Sequence, residues 1–187
     1  MKKVIMDYGI TSNYFIEYSP EEAIGYFAKK GWYKLELADE HVNMILDRED
    51  PQKAVREFKK CVRDHGVTFP QGHLLLSSDI VDDEYTIVDE LRGWLDIFMS
   101  LDVEKAVLHP GGASSRKKGI HIEEIRNRQA ERLRPLLEHI EGTNLIICIE
   151  NTPDTETTVE GLLEIVRLSS SDNIGICLDT GHLNMAD

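Results

Sequence analysis

Short apolar runs recur along the chain, separated by stretches whose apolar residues fall three and four positions apart. The runs cover residues 4–8, 33–37, 67–75, 105–109, 145–150 and 174–178. Apolar runs of this length, closed by polar residues, predict parallel strands buried on both faces. The intervening spacing predicts helices. One opens at Ser19-Pro20-Glu21-Glu22, buries Ala23, Ile24, Phe27 and Ala28 on one face and stops at Gly31; others cover 51–65, 85–101, 120–140 and 158–168. Pro70 and Gly72 interrupt the third run, which makes it the weakest strand. Pro135 predicts a kink or break in the longest helix.

Strand and helix alternate at about 30 residues per unit, which argues a parallel sheet with crossover helices. An open doubly wound sheet and a (β/α)₈ barrel share that pattern. No GxGxxG follows the first run, so the phosphate fingerprint of the open sheet is missing. Polar residues close the second to sixth runs instead: Glu36, His73, His109, Glu150 and Asp179. A barrel gathers all its strand ends around one mouth. The expected fold is therefore an α/β (β/α)₈ barrel, a single domain over residues 1–187 with about six units. The chain reads as truncated after its sixth strand, with the last two strands missing.

The strongest candidate chemistry lies in the last two runs, which stop at Glu150 and Asp179. On adjacent strands about 4.8 Å apart the two acids can share one cation, and His182 can reach the same pocket. Either acid could instead cap the element that follows. Cys148 and Cys177 each precede a site acid by two residues, so they are expected side by side, reduced, in the layer beneath it. His73 and His109 stand at equivalent strand ends, and Pro110-Gly111-Gly112 would let substrate approach the backbone beside His109. Glu36 is balanced between a site role and a buried ion pair. Arg116, with Lys117 and Lys118, lies in a polar loop that could grip a phosphate or sugar acid, or merely offset local acidity. Asp154, Glu156 and Glu160 read as helix-entry acids. His41, His65, His121 and His139 read as surface residues.

Charge narrows the partners. A net charge of −13 opposes binding to a phosphate backbone, so no nucleic acid is expected. No run approaches the roughly 20 apolar residues of a membrane span, and the N-terminus lacks the apolar core of a signal peptide. The three cysteines show no metal-finger spacing, which suits reduced thiols and a cytoplasmic setting.

The segments KAVLHPGG, ICIENTPDT and IGICLDTGHLNMA resemble the sugar phosphate isomerase/epimerase family of the xylose isomerase-like TIM barrels. That superfamily also holds ketose 3-epimerases and the endonuclease IV type of abasic-site nuclease. The Asp-Thr-Gly-His and Ile-Glu-Asn segments carry the resemblance most specifically. It implies a divalent metal (Mn, Mg, Co or Zn) on Glu150 and Asp179, with Glu150 also acid/base and His182 contacting substrate or metal. It implies a small sugar or sugar phosphate as substrate; the candidates to face it are His109 and His73, with Glu36 and Arg116 added from their places in the chain alone. In nuclease-like members the positions of His73 and His109 bind zinc as well.

A full family member has two further strands, which supply a histidine and a second glutamate. On that pattern this sequence offers two of four metal ligands. The 187-residue chain alone is then expected to turn over little and to self-associate as a homo-oligomer. Three readings stay open: a metal-dependent isomerase or epimerase, an endonuclease IV-like phosphodiesterase, and a non-catalytic fragment or pseudoenzyme of the same fold.

Overall fold

The computed structural model describes residues 8–82, 86–153 and 158–185. Six strands form one parallel sheet in chain order: β1 (Ile10–Thr11), β2 (Lys34–Leu37), β3 (Thr68–His73), β4 (Lys105–Leu108), β5 (Ile146–Glu150) and β6 (Ile174–Cys177). Eight α-helices are present among the described residues. They are α1 (Pro20–Lys29), α2 (Asp39–Leu46), α3 (Pro51–Asp64), α4 (Thr86–Ser100), α5 (Ala113–Lys117), α6 (Ile122–His139), α7 (Val159–Ser169) and α8 (Thr180–Met185). Parallel strands in sequential order, joined by helical crossovers, are the βα progression of a barrel. The expected α/β architecture is present, as part of such a barrel. Most of the expected first strand, the start of the 85–101 helix, Asp154 and Glu156 lie outside the described residues. No helix among the described residues is long and apolar enough to cross a membrane.

Local signals place several helices. Ser19 and Glu22 form a reciprocal capping box ahead of Pro20. Asp50 caps α3 before Pro51, and the Thr158 hydroxyl accepts from the Gly161 N–H at the start of α7. Glu160 sits in the first turn of α7, as an entry acid should. The helix α6 runs unbroken through Pro135, so the expected break does not occur. Three short helices were not foreseen. The loop after β4 winds into α5, and α2 and α8 begin within three residues of a strand end.

The sheet alternates strictly between two faces. Leu35, Leu37, Phe69, Ala106, Leu108, Ile147 and Ile149 point outward into the core shared with the helices. The residues between them point inward, and one strand needs a correction to do so. The pairing runs Lys34↔Thr68 and then Glu36↔Gln71, so three residues of β3 oppose two of β2. Pro70 falls in that bulge. Phe69 faces outward, stacked on Phe58 of α3, and Gly72 also faces outward, against Phe98 and Leu37. Without the extra residue His73 would share the direction of Phe69. The bulge that weakens the strand pattern is what turns His73 to the inner face.

Candidate active site

A cleft of about 610 Å³ opens at the C-terminal ends of the strands, and Glu36, His73, His109, Glu150, Asp179 and His182 all line it. Glu150 is its centre. The last residue of β5 and 6% exposed, it receives His73 Nε2 at 3.3 Å and His109 Nε2 at 3.1 Å on the same oxygen, Oε2. His182 Nδ1 lies 3.9 Å from the other oxygen, Oε1. Two potential donor triads result, His73–His109–Glu150 and Glu150–Asp179–His182, each with its ligand atoms within 4.8 Å of one another. Glu150 belongs to both. Five donor groups therefore converge, where ligand counting on the sequence found two.

The imidazoles are oriented from behind. His73 Nδ1 donates to the Leu74 carbonyl at 2.6 Å and His182 Nδ1 to the Asn151 carbonyl at 2.8 Å. On His182 the N–H fixed on a carbonyl leaves Nε2 with its lone pair, the arrangement of a histidine that binds a cation; His73, with a carbonyl on Nδ1 and the Glu150 carboxylate on Nε2, carries a proton on both nitrogens. These donor types and spacings fit a divalent metal.

Electrostatics follow from the same contacts. Burial alone would raise the Glu150 carboxyl, but the hydrogen bonds from His109 and His73 outweigh it and bring the group down to about 2 from an ordinary 4.5. Burial opposes a charge on His73, yet its bond to Glu150 raises it above its ordinary 6.5. The depressed Glu150 contributes stability above pH 4.5 that is lost as pH falls toward 2. The raised His73 contributes stability below pH 6.5 that is lost as pH climbs through its folded value. In metal-free protein the Tm difference between wild type and Glu150→Gln is therefore expected to be largest between pH 4.5 and 6.5. A difference independent of pH would contradict this pairing.

Asp179 combines two roles that sequence reading set against each other. Its Oδ1 accepts the His182 N–H at 2.6 Å, capping α8, while the carboxylate stays within the donor cluster. The thiols depart from expectation. β5 and β6 pair Cys148 with Gly175 and Glu150 with Cys177, so Cys177 is level with Glu150 and one layer above Cys148. Asp179 lies two residues beyond the end of its strand. The expectation aligned the two acids, whereas the strands are staggered by two residues. Both cysteines are free. Burial and the Glu150 charge push the Cys177 thiol up to about 12, so in the metal-free protein it is no thiolate nucleophile at neutral pH.

Other candidates are redistributed. Glu36 lines the cleft and accepts from Gln71 Nε2 at 2.8 Å. Arg116, on α5, is not among the lining residues. Gly111 and Gly112 serve a carboxylate of the protein itself: the Asp79 oxygens accept the Gly112 N–H at 2.9 Å, and a Cβ on Gly111 would collide with that carboxylate. His65, His121 and His139 are at the surface, but His41 is buried at 1% exposure with Nδ1 2.9 Å from the Ser12 hydroxyl. It belongs to the buried face of α2, a helix the sequence pattern does not reveal.

The xylose isomerase-like TIM barrel model matches residues 26–187. An uncharacterized protein of Methanocaldococcus jannaschii is 33% identical over 103 residues, covering 53% of this chain and 35% of that protein. A probable endonuclease 4 of Ureaplasma parvum is 31% identical over 90 residues, covering 46% of this chain and 28% of that protein. A crystal structure of D-psicose 3-epimerase in the presence of D-fructose superposes with a TM-score of 0.77 at 18% identity, over 97% of this chain and 66% of the epimerase. The chain thus matches about a third of the length of these curated relatives and about two thirds of that structure. The structural likeness speaks for the fold.

Proposed function

The chain belongs to the xylose isomerase-like TIM barrel family, and within it we propose a divalent-metal-dependent isomerase or epimerase that moves a proton beside the carbonyl of a sugar or sugar phosphate. The observation that carries the reading is Glu150, ionised and shared between two donor triads at the barrel mouth. Glu150, Asp179 and His182 would hold the metal. When bound, such a cation polarises a carbonyl and offsets the charge that develops on its oxygen.

The remaining steps fall to this chain's own residues. Glu150 suits a ligand better than a base, since its Oε2 is occupied by two imidazoles and a carboxyl brought down to about 2 accepts protons weakly. The proton-transfer role assigned to it from the resemblance passes to His73 and His109. Their rings lie 5.0 Å apart, so one can take a proton while its neighbour supplies one. Glu36 and Gln71 offer a carboxylate and an amide to substrate hydroxyls. Leu76, Val107 and Leu178 give the cleft apolar walls.

One observation favours a second reading. The triad His73–His109–Glu150 could hold a second ion bridged to the first by Glu150, as in two-metal phosphoester hydrolysis, and one relative is a probable endonuclease 4. The net charge of −13 opposes a nucleic-acid substrate. A single comparison separates the two. Mn²⁺-loaded protein is incubated with D-fructose in D₂O and, in parallel, with bis(p-nitrophenyl) phosphate and an abasic-site duplex, and bound metal is counted. One ion per chain with deuterium entering the ketose is expected. Two ions with phosphoester cleavage and no exchange would replace the first reading by the second.

A further inference from the structure

β5 and β6 end their pairing at Glu150 and Cys177, but one side chain carries the ladder further. Asn151, 4% exposed, uses its amide as a peptide group would. Its Oδ1 accepts the Asp179 N–H at 2.8 Å and its Nδ2 donates to the Asp179 carbonyl at 2.8 Å. Gripped on both sides, the Asp179 backbone has little freedom to turn, so the direction of its carboxylate is fixed. The Asn151 carbonyl accepts Nδ1–H of His182, and the Asp179 carboxylate accepts the His182 backbone N–H. Three residues thus close a ring of hydrogen bonds: Asn151 holds Asp179, Asp179 holds the start of α8, and the His182 ring returns to Asn151.

We infer that Asn151 is a positioning residue, whose side-chain amide aims Asp179, and through it His182, at the cation that these two residues share with Glu150. The inference rests on the reading of Glu150–Asp179–His182 as a metal-holding triad. Chemistry favours asparagine here over its neighbours in size. Aspartate would lose the donor and set an anionic oxygen against the Asp179 carbonyl, and glutamine would overreach by a methylene. The grip is also specific to one side of the cleft. His73 is oriented instead by the Leu74 carbonyl, so the His73–His109 side does not depend on Asn151.

Co²⁺ affinity, followed by visible absorption on the whole chain, tests this in a double-mutant cycle with Asp179→Ala. Asn151→Ala is expected to weaken Co²⁺ binding by about 10–100-fold, the usual effect of removing a partner that orients a ligand. In the Asp179→Ala background the same change is expected to cost less than about twofold further, because the residue it acts through is gone. Circular dichroism confirms folding; should the alanine variant not fold, Asn151→Ser replaces it in the same cycle. Affinity unchanged by the substitution, or an equal loss in both backgrounds, overturns the role. Wild-type protein that binds no Co²⁺ sinks the metal reading itself and this role with it.

Discussion

Glu150→Gln is expected to lower Co²⁺ or Mn²⁺ affinity by at least about 100-fold. Loss of a residue that merely orients a ligand costs about 10–100-fold, and Glu150 would itself be a ligand common to both donor triads. The substitution keeps the size and shape of the side chain, so packing at a position 6% exposed is nearly undisturbed. What it removes is the charge. The amide keeps one oxygen that can stand in for Oε2 before His73 and His109, but without charge, and its NH₂ group puts a donor in place of the acceptor Oε1 on the side of Asp179 and His182. Activity is expected to vanish with metal binding while the chain stays folded. Titration of wild type and variant side by side checks this; comparable affinities would remove Glu150 from the centre of the site.

Gly111→Ala is expected to cost about 3–5 kcal/mol of stability. Gly111 has φ +69, a region in which an L-residue carries about 1–2 kcal/mol of strain. The added Cβ would also strike the Asp79 carboxylate and approach the Ile80 nitrogen to 3.0 Å. That carboxylate accepts the N–H groups of Val81, Asp82 and Gly112, each at 2.9 Å. Pushing it aside unfastens the loop after β3 from the loop after β4. His109 lies two residues before the insult, so site geometry suffers with stability. Gly119→Ala is the control: φ is +82 and nothing lies within 4 Å of the new Cβ, so only the backbone strain of about 1–2 kcal/mol remains. Urea unfolding of the two variants measures the difference. Equal losses would mean that the Asp79 clasp contributes little.

Sequence patterns located β2 to β6 within one or two residues because each is a local feature: an apolar run closed by a polar residue. The larger helices were legible through caps and prolines, as at Ser19-Pro20 and Asp50-Pro51. Of the candidate residues, Glu150, Asp179, His182, His73, His109 and Glu36 share one cleft, because every parallel strand in such a fold delivers its C-terminal end to the same face. Arg116 fell outside that logic, being placed by a loop that winds into a helix instead of by a strand end. Hidden features depended on relations between distant segments. The two-residue stagger of β5 and β6 decided the level of Cys177, and no pattern within either strand encodes it. The Pro70 bulge looked like a defect, since its effect is visible only against the register of β2. Asn151 stood beside Glu150 in a conspicuous segment, yet its partner Asp179 is 28 residues away. The glycines after His109 suggest room for substrate, whereas the Asp79 side chain takes that space.

The proposed function stands on a metal centre at the mouth of the sheet, built on Glu150. Diffraction from crystals grown with Co²⁺, recorded at the cobalt absorption edge, tests it most directly. An anomalous peak is expected in the cleft within about 2.0–2.3 Å of Glu150 and Asp179 oxygens, with His182 turned to the same ion. A cleft without such a peak under saturating Co²⁺, with Glu150 still hydrogen-bonded to His73 and His109, would contradict it.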